Sequence, residues 1–140
     1  MIVDQELLDR LFKQAATNPR KRVNYDMRTS PEDGSQRMMN AMLPGTEVAI
    51  HRHPNSNENV ILITGKMYEI FYEEVEVNGK VTLHETERVF LCPNEGRYGC
   101  MVPKGVWHTV EVIEPSVIYE AKDGKYGEDG SEMYSDNRVQ

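Results

Sequence analysis

The residues best suited to chemistry lie between Gly45 and Gly65, in the segment GTEVAIHRHPNSNENVILITG. His51 and His53 are two positions apart, and Glu58 follows five positions later. Residues two apart on an extended strand point to the same face, so the two imidazoles can converge on one point. The letters PNSN before the glutamate are typical of a turn, which would return Glu58 to the histidine pair on the next strand. Two imidazoles and a carboxylate suit zinc, iron, manganese or nickel rather than calcium or magnesium.

A further histidine lies in the later segment MVPKGVWHTVEV and supplies a fourth candidate ligand. We therefore expect one divalent transition metal (zinc, iron, manganese or nickel) bound by His51, His53, Glu58 and His108. Such a set on iron or manganese leaves coordination positions for water and substrate, and a catalytic zinc site likewise keeps an open position. The metal can then polarise a carbonyl or lower the pKa of bound water toward about 7. His84 follows a hairpin among acidic residues and is expected at the surface.

One early helix and many short strands must position these ligands. Asp4 is a suitable N-cap, an apolar stripe from Leu7 to Ala15 follows, and Asn18-Pro19 ends the helix. We expect this helix to pack on the outside of a sheet, although an amphipathic stripe also serves partner binding. Strands are predicted over 36–43, 59–64, 67–77, 80–83, 87–92, 98–102, 107–113 and 117–121. This pattern predicts an all-β sandwich or barrel.

Length and charge limit the organisation and the partners. The 140 residues and the net charge of -7 favour one domain without a nucleic-acid surface. The acidic N-terminus and the absence of a long apolar run predict a cytoplasmic protein that does not enter a membrane. Two cysteines, Cys92 and Cys100, are expected to be reduced. The chain divides into a helix over 1–18, a β domain over 19–121 and a polar tail over 122–140, which is expected to be loosely held unless Tyr126 and Tyr134 anchor it.

The spacing of the ligands resembles the two motifs of the cupin superfamily. The first motif is matched at every fixed position, and the second at its proline, glycine and histidine. Two departures in the second motif, a longer gap after Gly96 and Val112 in place of asparagine, affect the local loop and not the ligand. The resemblance implies a double-stranded β-helix (jelly roll, or cupin barrel) over residues 19–121, with a metal in its mouth. It also implies a homodimer.

The order PRKR-x-N, QRMMNAMLPGTEVAIHRH, VPKGVWHTV and YEAKDGKY looks like the WbuC-type cupin metalloproteins. These are small bacterial proteins associated with O-antigen and surface-polysaccharide gene sets, for which no reaction is settled. The open metal site and the cations at 20–22 favour a metal-dependent enzyme that acts on a small polar molecule, and the resemblance points to a sugar or sugar nucleotide in polysaccharide biosynthesis. Isomerisation or epimerisation and oxygen-dependent oxidation by a dioxygenase are both open. The alternative is a non-catalytic binding or regulatory module with a structural or sensory metal.

Four residues beyond the metal motif are candidates for binding a small-molecule ligand: Arg20, Arg22, Arg37 and Asn40. The cations at 20–22 form either a solvated turn or a site for an anionic group, because a guanidinium pairs bidentately with carboxylate or phosphate. Alternation from the ligands predicts a pocket lined by Glu47, Ala49, Val60 and Leu62. The same rule places Trp107 on the face opposite His108.

Overall fold

The computed structural model describes residues 1–125 and 127–135. Within them the chain forms one α-helix, one short 3-10 helix at Pro93–Glu95 and eight strands. The elements are α1 (Gln5–Thr17), β1 (Arg22–Asp26), β2 (Ser35–Met42), β3 (His51–Arg52), β4 (Glu58–Val77), β5 (Lys80–Leu91), β6 (Gly99–Val102), β7 (Trp107–Asp123) and β8 (Glu132–Met133). None of the described helices is long and apolar enough to cross a membrane.

All eight strands belong to one curled antiparallel sheet organised by β7. One edge of β7 pairs with β4 along almost its whole length, from Lys122 opposite Glu58 to Trp107 opposite Tyr72. The other edge pairs with β2 through its second half and with β3 at His108. Because β7 holds both neighbours, the sheet closes around a cluster of buried residues whose members include Leu62, Met67 and Ile118.

The two longest strands bend where the sequence predicted that strands would end. Segments 59–64 and 67–77 form the single strand β4, and 107–113 and 117–121 form the single strand β7. Register shifts in β4 lie between Leu62 and Met67. Gly65 has a φ of 111°, and a Cβ there would lie 2.5 Å from the Pro115 carbonyl oxygen. The glycine therefore marks a bend that lets the two strands touch, whereas glycine in a sequence reads equally as a turn.

The N-terminal helix confirms its sequence prediction. The Asp4 carboxylate accepts a hydrogen bond from the Leu7 backbone N–H at 3.0 Å, which caps the first turn. The helix buries its leucines against Met39, Ala41 and Val117 on the outer side of β2 and β7. As residues 39 and 41 of β2 face the helix, the even-numbered residues of that strand face the interior of the barrel.

The C-terminal segment differs from the loosely held tail that its composition predicts. Described residues of this segment form β8, in which Met133 pairs with His51 and Glu132 pairs with Arg52. The Tyr134 ring packs edge-on against Trp107, with ring centroids 5.7 Å apart. Tyr126, the other predicted anchor, lies outside the described residues. The described segment therefore covers the edge of the histidine strand.

Candidate metal centre

Three imidazoles converge at one end of the barrel. His51 lies on β3 directly opposite His108 on β7, and His53 follows β3 on the same face as His51. One ring nitrogen of each histidine lies within 4.8 Å of the corresponding nitrogens of the other two. His53 and His108 are buried, and His51 is half-buried. Strand alternation and the pairing of β3 with β7 thus bring together the three histidines that the sequence singled out.

The Nδ1 atom of each imidazole is held by an acceptor. The Ala49 carbonyl lies 2.8 Å from His51 Nδ1, and the Val106 carbonyl lies 2.9 Å from His108 Nδ1. A carbonyl can only accept, so both Nδ1 atoms must carry the proton. The Nε2 atoms then keep a lone pair for a ligand, which is the arrangement found around protein-bound metals.

Glu58 brings a carboxylate to two of the three rings. Its Oε2 atom lies 3.2 Å from His53 Nε2, and its Oε1 atom lies 3.9 Å from His108 Nε2. Both Nε2 atoms are buried and have no hydrogen-bond partner among the described residues. Burial raises the pKa of Glu58, which favours its protonated form, whereas a cation between the three groups stabilises the carboxylate and accepts both lone pairs. The donor set therefore fits a transition metal.

Burial keeps the imidazoles neutral and therefore able to bind a metal. It lowers the pKa of His53 to about 4 and that of His108 to about 3, and it also lowers the pKa of His51. The charged form of each ring loses its hydration inside the barrel, and this outweighs every favourable contact. At neutral pH no proton therefore has to leave an Nε2 atom before a metal ion can bind there.

A cavity of about 340 Å³ adjoins the histidines inside the barrel. Its walls combine apolar residues, including Met38, Val60 and Ile118, with amides and charged groups. The polar lining residues that sequence reasoning did not place in the pocket are Asn24, Gln36, Glu69, Glu120, Lys122, Asp129 and Ser131. This size and mixture are typical of a small-molecule site.

Two carboxyl groups stand out on the cavity wall. Glu69 is 2% exposed, and its Oε2 atom has no hydrogen-bond partner among the described residues. Glu120 accepts a hydrogen bond from the Asn40 amide and shares another with Glu58. Burial, reinforced by the charge of Glu58, raises the pKa of both Glu69 and Glu120 well above the ordinary value. Protonated carboxyl groups are therefore favoured beside the histidines.

The four predicted ligand-binding residues separate into two pairs. Arg22 and Asn40 line the cavity, whereas Arg20 is exposed and lies outside it. Arg37 donates to Asp33 at 2.7 Å. It lies three residues before Asn40 on β2 and therefore on the opposite, outer face of that strand. Arg22 donates to the Glu47 carbonyl at 2.6 Å, so it fastens the segment before β3 as well as facing the cavity.

The predicted pocket lining is correct for one strand and shifted for the other. Val60 lines the cavity and Leu62 lies in the core beside it. Glu47 and Ala49 are exposed, and Val48 lines the cavity instead. Residues 43–50 form no regular strand, so alternation counted back from His51 fails there. Trp107 packs on the opposite side from His108, as predicted, with Arg52 4.3 Å above its ring.

Residues 3–86 match the model of a protein family described as Domain of unknown function (DUF6016). The chain belongs to this family. The matched range holds three of the four candidate ligands and ends before His108. No curated protein sequence matches the chain. The finer resemblance to the WbuC-type proteins stays a prediction.

Solved structures confirm the predicted fold, a double-stranded β-helix with a short N-terminal helix. The protein TT1209 from Thermus thermophilus matches with 21% identity and a TM-score of 0.56, over 88% of this chain and 96% of its own. An uncharacterized conserved protein with a double-stranded beta-helix domain from Klebsiella pneumoniae subsp. pneumoniae matches with 16% identity and a TM-score of 0.53, over 95% and 96%. An oxalate oxidase in complex with the substrate analogue glycolate matches with 11% identity and a TM-score of 0.57, over 84% of this chain. The chain spans 57% of that oxalate oxidase. At these identities the likeness concerns the fold.

Proposed function

We propose that this protein is a metal-dependent enzyme that acts on a small polar molecule in the cavity beside the histidines. His51, His53, Glu58 and His108 would hold one divalent transition metal. The observation that carries the proposal is the pair of buried Nε2 atoms, on His53 and His108, which face the Glu58 carboxylate without a hydrogen-bond partner among the described residues. An unpaired buried polar atom costs about 1–3 kcal/mol, and a bound cation would offset that cost.

The metal, the cavity carboxyls and the apolar walls would each have a different role. A bound metal would supply Lewis-acid polarisation of a substrate oxygen. Glu69 and Glu120 favour their protonated forms, because burial raises their pKa values, and they can donate a proton to a molecule in the cavity. The apolar walls formed by Met38, Val110 and Ile118 limit the access of water. This combination suits proton transfer next to a polarised carbonyl, as in isomerisation or epimerisation, and dioxygenase chemistry is the other candidate.

A sugar or sugar nucleotide is the substrate class that we propose, in surface-polysaccharide or O-antigen biosynthesis. The amides of Gln36 and Asn40 and the cavity carboxyls offer donors and acceptors for hydroxyl groups. The choice of pathway depends on the resemblance to WbuC-type proteins alone. We also propose a homodimer, because apolar side chains are exposed on the outer face of the sheet.

Metal analysis of freshly purified protein tests the metal site. We expect one equivalent of a transition metal in the parent protein and its loss in His51→Ala and in His108→Ala. His84→Ala is the matched control, since His84 is exposed and lies outside the cavity, and it should keep the metal. A parent protein free of metal that also binds none on titration, or equal binding by all three variants, contradicts the proposal.

Chelation separates an enzyme from a module with a structural metal. If the metal is catalytic, the chelated protein should keep its cooperative melting transition and regain metal on addition, because the core between α1 and β2 does not depend on the ligands. Collapse of the fold after chelation would favour the structural alternative. Calorimetric titration of the metal-loaded protein with sugars and sugar nucleotides then tests the substrate class, and indifference to all of them would contradict it.

A further inference from the structure

Ser131, supported by Asp129, lies behind His53 on the side away from Glu58. We propose that Ser131 is a positioning residue that holds His53 in the tautomer and orientation required for metal binding. This inference rests on the proposed metal site. It assigns a task to the C-terminal segment, in which the sequence showed only polar, glycine-rich composition.

A directed chain of hydrogen bonds carries the inference. The Ser131 hydroxyl donates to Asp129 Oδ2 at 2.6 Å, and the same carboxylate pairs with the buried Lys122 ammonium. A carboxylate can only accept, so the hydroxyl proton points at Asp129 and the oxygen lone pairs point away from it. Ser131 Oγ lies 2.7 Å from His53 Nδ1, nearer than Asp129 Oδ2 at 3.5 Å, and must therefore accept from it. The proton is fixed on Nδ1, and the Nε2 lone pair faces Glu58.

The other two histidines do not need this support. The acceptors for His51 and His108 are the carbonyls of Ala49 and Val106, each two residues earlier in the same segment. The acceptor for His53 comes from 78 residues along the chain. Of the three histidines, His53 alone thus takes its Nδ1 acceptor from the C-terminal segment.

The C-terminal segment is bonded to the stretch of chain that contains His51 and His53. Asn55 donates to the Asp129 carbonyl at 3.1 Å, and the Tyr134 backbone N–H donates to the Ile50 carbonyl at 2.8 Å. Between them, Arg52 and Glu132 form an ion pair at 2.8 Å. The histidine segment and the C-terminal segment therefore lie side by side over residues 50–55 and 129–134.

The test compares Ser131→Ala, Ser131→Thr and Glu132→Gln as full-length proteins. Glu132→Gln is the matched control, because it weakens the neighbouring attachment of the same segment without touching His53. Zinc affinity, measured by competition with a chromophoric chelator, should fall by about 10–100-fold in Ser131→Ala. It should be unchanged in Glu132→Gln and recovered in Ser131→Thr, which keeps the hydroxyl. The visible spectrum of the cobalt-loaded protein should change in Ser131→Ala alone.

A second measurement needs no metal. Long-range ¹H–¹⁵N spectra of the metal-free protein should show the His53 proton on Nδ1 in the parent and a mixture of tautomers in Ser131→Ala. Unchanged affinity and tautomer in Ser131→Ala would overturn the inference, as would an equal loss of affinity in Glu132→Gln. If the parent binds no metal, the proposed function fails. The tautomer of His53 still decides whether Ser131 positions it.

Discussion

At the scale of single residues, the convergence of the three histidines and Glu58 was predictable and much of the cavity was not. Two histidines on one face, a turn and a glutamate are properties of local spacing, and the structure places them as that spacing requires. The sequence left Glu69 between pocket and surface, because the phase of its strand could not be fixed. The register shifts near Gly65 invert that phase, so that Glu58 and Glu69 both face inward despite their odd separation. Glu120 and Lys122 were within reach, since they share the even phase of His108 along β7.

The Oε2 atom of Glu69, which has no hydrogen-bond partner among the described residues, predicts that this buried carboxyl lowers stability. Glu69→Met should raise the free energy of unfolding by about 1–3 kcal/mol, because the methionine leaves no buried acceptor without a partner. Urea denaturation of the two proteins measures this difference, and the slope of unfolding free energy against urea should stay the same. Glu87→Met, at an exposed position of β5, should change stability little. A less stable Glu69→Met would mean that the carboxyl has a stabilising partner.

The lowered pKa of His108 predicts a pH-dependent stability difference in metal-free protein. The unfolded chain binds a proton at His108 near pH 6.5, whereas the folded chain binds it only near pH 3. As the pH falls through this window, the unfolded chain gains a proton at His108 that the folded chain does not, which lowers the free energy of unfolding of the parent. The stability of His108→Gln relative to the parent should rise by up to about 1.4 kcal/mol per pH unit. Urea denaturation in chelator at pH 7, 6 and 5 checks this, and a difference that is constant with pH, or that shrinks as the pH falls, would contradict it.

At the scale of elements, the strands were predictable and their continuity was not. The hairpin at Asn78-Gly79 is confirmed, with positive φ values of 55° and 76°. The sequence predicted that strands would end at Gly65 and Pro115, because glycine and proline accompany both bends and turns. Only the contact between the two bends distinguishes a bend from a turn. At this contact the Ser116 hydroxyl accepts a hydrogen bond from the Lys66 backbone N–H at 3.1 Å. Because the strands continue, Glu69 and Glu120 reach the same cavity.

Two glycines provide a matched test of this bend. Gly65→Ala places a methyl group 2.5 Å from the Pro115 carbonyl oxygen, whereas Gly79→Ala has no atom within 4 Å of its new Cβ. Both positions have positive φ and share the conformational cost, which is about 1 kcal/mol. Gly65→Ala should cost more by about 1–3 kcal/mol of added strain. Thermal or urea unfolding of both variants measures the gap. Equal losses would show that β4 and β7 can separate at the bend without consequence.

At the scale of the whole molecule, the fold followed from the strand pattern and the motif spacing, and the covering of the site did not. A polar segment with several glycines has the composition of a disordered tail. Its order comes from distant partners, namely the Asn55 amide, which donates to the Asp129 carbonyl, and His51, which pairs with Met133. No local property of the sequence encodes such contacts. The described residues of the C-terminal segment are thus part of the candidate site.

The outer face of the sheet carries the last prediction, that two copies of the chain associate. Its exposed apolar residues include Ile61 on β4, Tyr98 just before β6, Met101 on β6 and Ile113 on β7. A monomer rarely leaves such a face uncovered, so we expect a homodimer by light scattering after size exclusion. Ile61→Lys combined with Met101→Lys should give a monomer with an unchanged circular dichroism spectrum, because burying a lysine without a partner opposes association. The control is Val77→Lys, at the exposed end of the β4–β5 hairpin, which should remain dimeric. A monomeric parent, or a double variant that still dimerises, would exclude this face as the interface.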